Sequence, residues 1–328
     1  MSFFRDFGQS ILVSFGGKPQ IVKLVRLQRR IFMADHIFTG SGVAIVTPMN
    51  ADGSINYDEY GRIIDFQIDN GTDAIVACGT TGESAVMDAD EHCRVIEYTV
   101  KRVAGRVPVV AGAGSNDTKF AAELSKEAEN LGADALLSVT PYYNKTSQSG
   151  LIMHYNYIAD RVNIPIILYN VPSRTGCNIR PETYAELCKH PNIRATKEAN
   201  GDISALVRTM ALCGDNLDIY SGEDSQAVPI AMMGGVGVIS VFANSNPKEC
   251  HEMMQKALDG DYKGAFEMQK KYIELMDIYF SDVNPIPIKA AMNLCGYNCG
   301  PCRLPLAPMT DAGLEKLKAV MTKYGLIK

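Results

Sequence analysis

The sequence predicts an α/β protein built as a (β/α)8 TIM barrel with a C-terminal helical appendage. Three observations carry that expectation. Eight short apolar runs recur along the chain with centres roughly 20 to 33 residues apart, which leaves room for one helix between successive strands. Their hydrophobicity is near-continuous, as strands buried on both faces of a parallel sheet require. The stretches between them carry helix start and stop residues. A doubly wound open sheet shares the alternation. However, no Gly-x-Gly-x-x-Gly fingerprint follows the first run, where Thr47-Pro48 stands instead, and eight even units exceed the usual strand number of one nucleotide-binding sheet.

In chain order the predicted strands are Val43 to Val46, Ala74 to Cys78, Val107 to Ala111, Ala135 to Val139, Ile164 to Tyr169, Ile193 to Thr196, Asp218 to Ser221 and Val236 to Val241. Glu123 to Leu131 reads as a helix stopped by Gly132, and Glu182 to Leu187 as one that follows Pro181, a residue suited to a first helical turn. After the eighth run some 85 residues contain no convincing strand. There Asn246-Pro247 reads as a cap followed by proline at N1, and Tyr262, Phe266, Ile273, Met276 and Phe280 repeat at helical intervals. The expected division is a basic extension over 1–32, the barrel over 33–245 and a C-terminal helical region over 246–328.

A chain of 328 residues that is 46% hydrophobic and 21% charged is large enough for a substantial core and is not disordered. The 37 acidic and 32 basic residues are interspersed, for a net charge of −5, so no pervasive basic surface invites nucleic acid. No apolar run approaches the roughly 18 residues of a membrane span. Nine scattered cysteines are too sparse for a disulfide scaffold, and a reducing cytoplasm is expected. The five histidines never pair at metal-ligand spacing, so neither a metal nor another cofactor is implied. Residues 1–32 break the pattern, with Arg5, Lys18, Lys23, Arg26, Arg29 and Arg30 against Asp6 alone. Phe3, Phe4, Phe7, Ile11 and Leu12 would give that segment an apolar face, as in a targeting or membrane-surface helix. It lacks signal-peptide order, and the expectation is an extension outside the fold, with Met33 a plausible start.

In a barrel the C-terminal ends of the strands converge on one mouth. Strand two runs into Gly79-Thr80-Thr81-Gly82-Glu83-Ser84, strand four into Thr140-Pro141-Tyr142-Tyr143-Asn144, strand five ends at Tyr169 before Asn170-Val171-Pro172-Ser173-Arg174, and strand six ends at Lys197-Glu198. This mix of lysine, hydroxyls and arginine lacks a glycosidase's acidic pair and a magnesium-binding carboxylate cluster. It suits carbonyl chemistry through an amine, because desolvation lowers a lysine pKa and frees the amine to attack a ketone. The protonated imine draws electrons from the neighbouring carbon, and hydroxyls in a chain move the protons. Taken singly, each residue has a plainer reading: a solvated lysine, tyrosines packed at strand ends, an arginine paired with a surface carboxylate and an ordinary glycine turn.

These segments, together with Tyr169 to Gly176, Gly237-Val238-Ile239-Ser240 and Asn284-Pro285-x-Pro287-x-Lys289, resemble the dihydrodipicolinate synthase family from about Phe38 to the C-terminus. The resemblance implies a class I, Schiff-base-forming barrel that condenses pyruvate with L-aspartate 4-semialdehyde on the route to diaminopimelate and lysine. It further implies that Lys197 forms the imine, that Tyr169 bonds it and passes protons, and that Thr80 and Tyr143 complete the relay. Tyr143 would reach a neighbouring subunit's site in a homo-oligomer, with a dimer of dimers expected. The amides of Thr80 and Thr81 would hold the pyruvate carboxylate, with the Ile239 carbonyl near its other end, and Arg174 would grip the semialdehyde carboxylate. Sister N-acetylneuraminate lyases share the barrel and lysine but resemble Gly-Ser-Thr-Gly-Glu at strand two and lack this arginine.

Lysine-inhibited members carry a regulatory pocket at the tight dimer interface, whose positions Ser84, Ala85, His92, Asn116 and Tyr142 match. Phe120 replaces an acidic residue and Ala89 a frequent histidine, so weak or absent lysine inhibition is expected. Two further classes compete with this one. Cys295, Cys299 and Cys302 read C-x3-C-x2-C, the spacing of radical iron–sulfur enzymes, but far downstream of strand one. A barrel that has lost catalysis and only binds is disfavoured by the intact lysine, tyrosines, threonine and arginine.

Overall fold

Strands β1 (Gly40–Ala44), β2 (Ala74–Ala77), β3 (Val109–Gly112), β4 (Ala135–Val139), β5 (Ile166–Asn170), β6 (Ile193–Glu198), β7 (Asp218–Ser221) and β8 (Gly237–Ser240) pair in parallel, each with its sequence neighbour, and β8 closes on β1. The computed structural model describes residues 36–328; the expectations for residues 1–32 lie outside them. The predicted barrel is present, and β4 and β7 have the predicted bounds.

Other strand ends differ, each for a physical reason. β3 and β5 start later than predicted, on the residues after Pro108 and Pro165, which have no amide to give a ladder. β1 starts earlier, because Gly40, Ser41 and Gly42 lie against Gly237, Val238 and Ile239 of β8. A Cβ on Gly237 would stand 2.4 Å from the Gly40 carbonyl oxygen, so glycine is what lets the first and last strands meet. β6 runs past its apolar stretch to Lys197 and Glu198, which remain paired with β5 and β7.

Alternation along the strands separates two apolar layers. Ala44, Val76, Val110, Leu137, Ile167 and Ala195 pack inside the barrel with Tyr169, Tyr220 and Ile239. Val43, Ile75, Ala111, Leu136 and Leu168 face the helices. Those helices are α1 (Tyr57–Asp69), α2 (Ala89–Val103), α3 (Thr118–Leu131), α4 (Gln148–Ala159), α5 (Pro181–Leu187), α6 (Ile203–Cys213), α7 (Ala227–Met232) and α8 (Pro247–Leu258). α3 begins five residues before the predicted start, where the Asp117 carboxylate accepts the Phe120 amide at 2.9 Å, and it ends at Gly132 with φ +96°.

α8 packs on β1 and completes the eighth unit, so the helical region after residue 245 begins with a barrel helix. Asn246 stands at its N-cap and Pro247 follows as predicted, but the Asn246 side chain makes no capping bond; its oxygen accepts from Ser245 Oγ at 2.9 Å. α9 (Tyr262–Ile278), α10 (Ile286–Leu294) and α11 (Asp311–Lys323) follow. The predicted α9 stripe is only partly buried: Met276 is inside with Ala265, Gln269 and Leu275, whereas Tyr262 and Phe266 are exposed. No helix among the described residues is long and apolar enough to cross a membrane.

Candidate active site

At the mouth, Tyr169 of β5, Lys197 of β6 and Tyr220 of β7 occupy one row of the ladder. Lys197 is 5% exposed and Tyr169 7%, and the lysine Nζ lies 4.4 Å from the centre of the Tyr169 ring. An ammonium over an aromatic face is held electrostatically and is kept from water.

After β2 the chain turns sharply, with φ +53° at Cys78 and +58° at Glu83. The amides of Gly82 and Ser84 donate to the Gly79 carbonyl and that of Glu83 to the Thr80 carbonyl. Among the described residues no protein atom accepts from the amides of Thr80 and Thr81, and such adjacent unspent amides form an anion nest. Thr81 Oγ1 accepts from Asn284 Nδ2 at 3.0 Å, and the Asn284 carbonyl accepts from Arg174 Nη2 at 3.4 Å. Asn284 therefore ties the turn to the arginine, which projects from a single helical turn, Pro172–Thr175, after β5.

Glu83 anchors the turn from behind. Its carboxylate takes the Lys289 ammonium at 2.6 Å and the Arg303 amide at 2.8 Å, and Lys289 also donates to the Pro301 carbonyl at 2.8 Å. The Asn284-to-Lys289 segment, marked in the sequence by resemblance alone, bonds the turn at Thr81 and at Glu83.

Two acidic residues were missed. The ends of strands two, four, five and six offer no acidic pair, but Glu223 and Asp224 follow β7 at the same mouth, and the strand-end rule applied to Ser221-Gly222-Glu223-Asp224 exposes them in the sequence. Burial pushes both carboxyls up and the Lys197 charge draws both back down, which places them within its field. Arg174 acts likewise on Glu223. Asp224 Oδ2 accepts the amides of Val241 at 3.0 Å and Phe242 at 2.9 Å, fixing the chain just after Ile239 and Ser240 of β8.

Tyr143 sits on the same rim but faces outward, 92% exposed, with φ +68°. A tyrosine in the left-handed region is strained and persists where something else holds it. Tyr142 is half-exposed beside it; its carbonyl accepts from Asn116 Nδ2 at 3.2 Å. Ser84 and Ala85 follow the β2 turn on a short 3₁₀ segment. His92 lies beneath, buried, its Nε2 2.7 Å from the Gly112 carbonyl, and burial lowers its pKa. Phe120 is 42% exposed in the first turn of α3, and Ala89 opens α2 at the surface.

Burial pushes the thiols of Cys295, Cys299 and Cys302 up, the last two to about 12. Among the described residues no group of three or more His, Cys, Asp or Glu is placed to hold a metal.

A closed parallel barrel with a buried lysine under a tyrosine at its C-terminal mouth defines the class: a lyase of the class I aldolase kind. The model of the dihydrodipicolinate synthetase family matches residues 37–324, and the chain belongs to that family. The 4-hydroxy-tetrahydrodipicolinate synthase of Caldicellulosiruptor saccharolyticus is 53% identical over 290 residues, 88% of this chain and 98% of that one. The crystal structure of dihydrodipicolinate synthase from Aquifex aeolicus is 42% identical, with a TM-score of 0.87 over 88% of this chain and 99% of its own. The Cyanidioschyzon merolae enzyme, solved with lysine bound, is 37% identical with a TM-score of 0.87 over 89% and 100%.

Proposed function

We propose that the protein is a 4-hydroxy-tetrahydrodipicolinate synthase that condenses pyruvate with L-aspartate 4-semialdehyde. The observation that carries the reading is Lys197, buried and in register with Tyr169. The Lys197 amine adds to C2 of pyruvate and water leaves, forming the imine. Loss of a proton from C3 gives the enamine, which attacks the aldehyde carbon of the semialdehyde. The amino group of that substrate then adds to the imine carbon, closing the ring and expelling Lys197. In this reading Tyr169, Thr80 and a second copy's Tyr143 carry the protons, the amides of Thr80 and Thr81 hold the pyruvate carboxylate, and the Ile239 carbonyl faces its other end.

The assembly we propose is a dimer of dimers in the cytoplasm. The outward, strained Tyr143 supports one interface, and exposed Ile203 and Val207, one turn apart on α6, support a second. The test of the reaction is pyruvate consumption by purified protein without added metal, against aldehydes that include L-aspartate 4-semialdehyde and N-acetylmannosamine. Turnover with the semialdehyde alone supports the synthase; turnover with the sugar aldehyde alone moves the chain to a sister lyase.

Arg174 grips the semialdehyde carboxylate through its planar fork in this scheme. Charged hydrogen bonds contribute about 1.5–3 kcal/mol, so Arg174→Ala lowers kcat/KM for the semialdehyde by about 10- to 100-fold. Imine formation with pyruvate persists. An unchanged kcat/KM removes the assigned role.

Lysine inhibits weakly or not at all in the same reading. A ligand ammonium brought against the Phe120 side chain meets an apolar ring in place of a carboxylate, and buried His92 is spent on Gly112. Half-inhibition at sub-millimolar lysine contradicts this.

A further inference from the structure

Glu198 follows the catalytic lysine, faces away from the barrel interior and has no part in the chemistry above, yet it is 4% exposed. The ladder pairs Tyr169 with Lys197 and, one residue on, Asn170 with Glu198. Asn170 Nδ2 donates to both Glu198 oxygens, at 3.0 and 3.1 Å. The Asn200 amide donates to Oε1 at 2.9 Å, and the Tyr184 hydroxyl from α5 donates to Oε2 at 2.9 Å. Asn170 is itself fixed: its Oδ1 accepts the Ile179 amide at 3.1 Å, and its Nδ2 also reaches Asn178 Oδ1 at 2.8 Å.

We propose that Glu198 is a positioning residue: its carboxylate, clamped by Asn170, Tyr184 and Asn200, locks the ends of β5 and β6 together and so fixes Tyr169 against Lys197. The inference rests on the reaction proposed above.

Three donor groups making four hydrogen bonds, and no cation, surround the carboxylate among the described residues, an arrangement complementary to the ionised form. The facing groups are neutral. β5 presents Asn170, the loop after it Asn178, β7 its register partner Ser221, and α5 the titratable Tyr184, whose pKa burial and the Glu198 charge both raise. Burial pushes Glu198 up to about 7, against the lowering effect of Asn170 and Tyr184. Protonation turns one acceptor oxygen into a hydroxyl, breaks the two-oxygen grip of Asn170 and loosens the pair of strand ends. Activity then falls as pH drops through about 7.

The experiment is the pH profile of kcat, with saturating pyruvate and semialdehyde, for the wild type, Glu198→Gln and Tyr184→Phe. Glutamine copies the shape of the neutral acid and keeps the Oε1 bonds to Asn170 and Asn200, while the Tyr184 hydroxyl turns to accept. Misplacement of reacting groups costs up to about 100-fold. Glu198→Gln is therefore expected to lower kcat by about 10- to 100-fold with little change in the pyruvate KM, and to lose the acid limb. Tyr184→Phe removes one donor, stays folded and moves that limb to higher pH. An active wild type whose limb is unmoved in Tyr184→Phe, or a Glu198→Gln enzyme with wild-type kcat and limb, overturns the inference alone. An inactive wild type overturns the reaction assignment and this inference with it.

Discussion

Lys197→Ala abolishes pyruvate-dependent trapping by borohydride and lowers turnover by at least about 10³-fold, the scale on which loss of a covalent nucleophile is felt. Among the described residues the other buried lysine is Lys289. The carboxylates of Glu223 and Asp224 lie within its field but are not imine-forming groups, and Lys289 is closed in its pair with Glu83. The variant should fold, because alanine leaves the backbone pairing of β6 with β5 and β7 intact and takes from the Tyr169 ring the ammonium above it. Two neighbouring carboxyls also lose their cation, so each holds its proton to higher pH than before, with Glu223 still drawn down by Arg174. Intact-mass analysis after borohydride treatment reads the outcome directly. A pyruvate adduct that survives in Lys197→Ala places the imine on another amine and removes the central step of the proposed reaction.

The barrel is legible in the sequence because strands covered on both faces must be apolar at nearly every position. Ala135–Val139 follows from that rule without adjustment, and Asp218–Ser221 has the expected bounds although it begins and ends on a polar residue. Polarity misleads at the ends. Gly40 to Gly42 look like a loop, yet they pair with β8, whose Gly237 has no side chain to strike the Gly40 carbonyl; Lys197 and Glu198 look like a strand stop, yet they are the last paired residues of β6. The same polar ends mark the site, and the end of β7 marks it too, through Glu223 and Asp224. Contacts distant in sequence leave no local trace. Glu83 and Lys289 are 206 residues apart, and neither position alone shows that the other neutralises it. The outward turn of Tyr143 is equally invisible, since a left-handed tyrosine has no sequence signature.

That distant pair yields the largest stability effect. Its side chains are 1% and 0% exposed, and the acid sits in the left-handed turn that carries the Thr80 and Thr81 amides. Lys289→Met keeps the length of the side chain and removes its charge, leaving the Glu83 carboxylate buried without its cation while the Arg303 amide still donates to it. Breaking one side of a buried pair costs about 3–5 kcal/mol, because the partner's desolvation is no longer offset. The expected result is a fall of that size in urea-unfolding stability, with a rise in the pyruvate KM as the turn loosens. Glu83→Gln added to Lys289→Met removes the stranded charge while keeping an acceptor for Arg303, and it recovers most of the stability. The KM stays high in the double variant, since neutralising the site does not restore the tie between turn and C-terminal segment. A Lys289→Met protein as stable as the wild type would show that the pair contributes little to the fold. A normal pyruvate KM in both variants would show that the nest keeps its shape without help from behind.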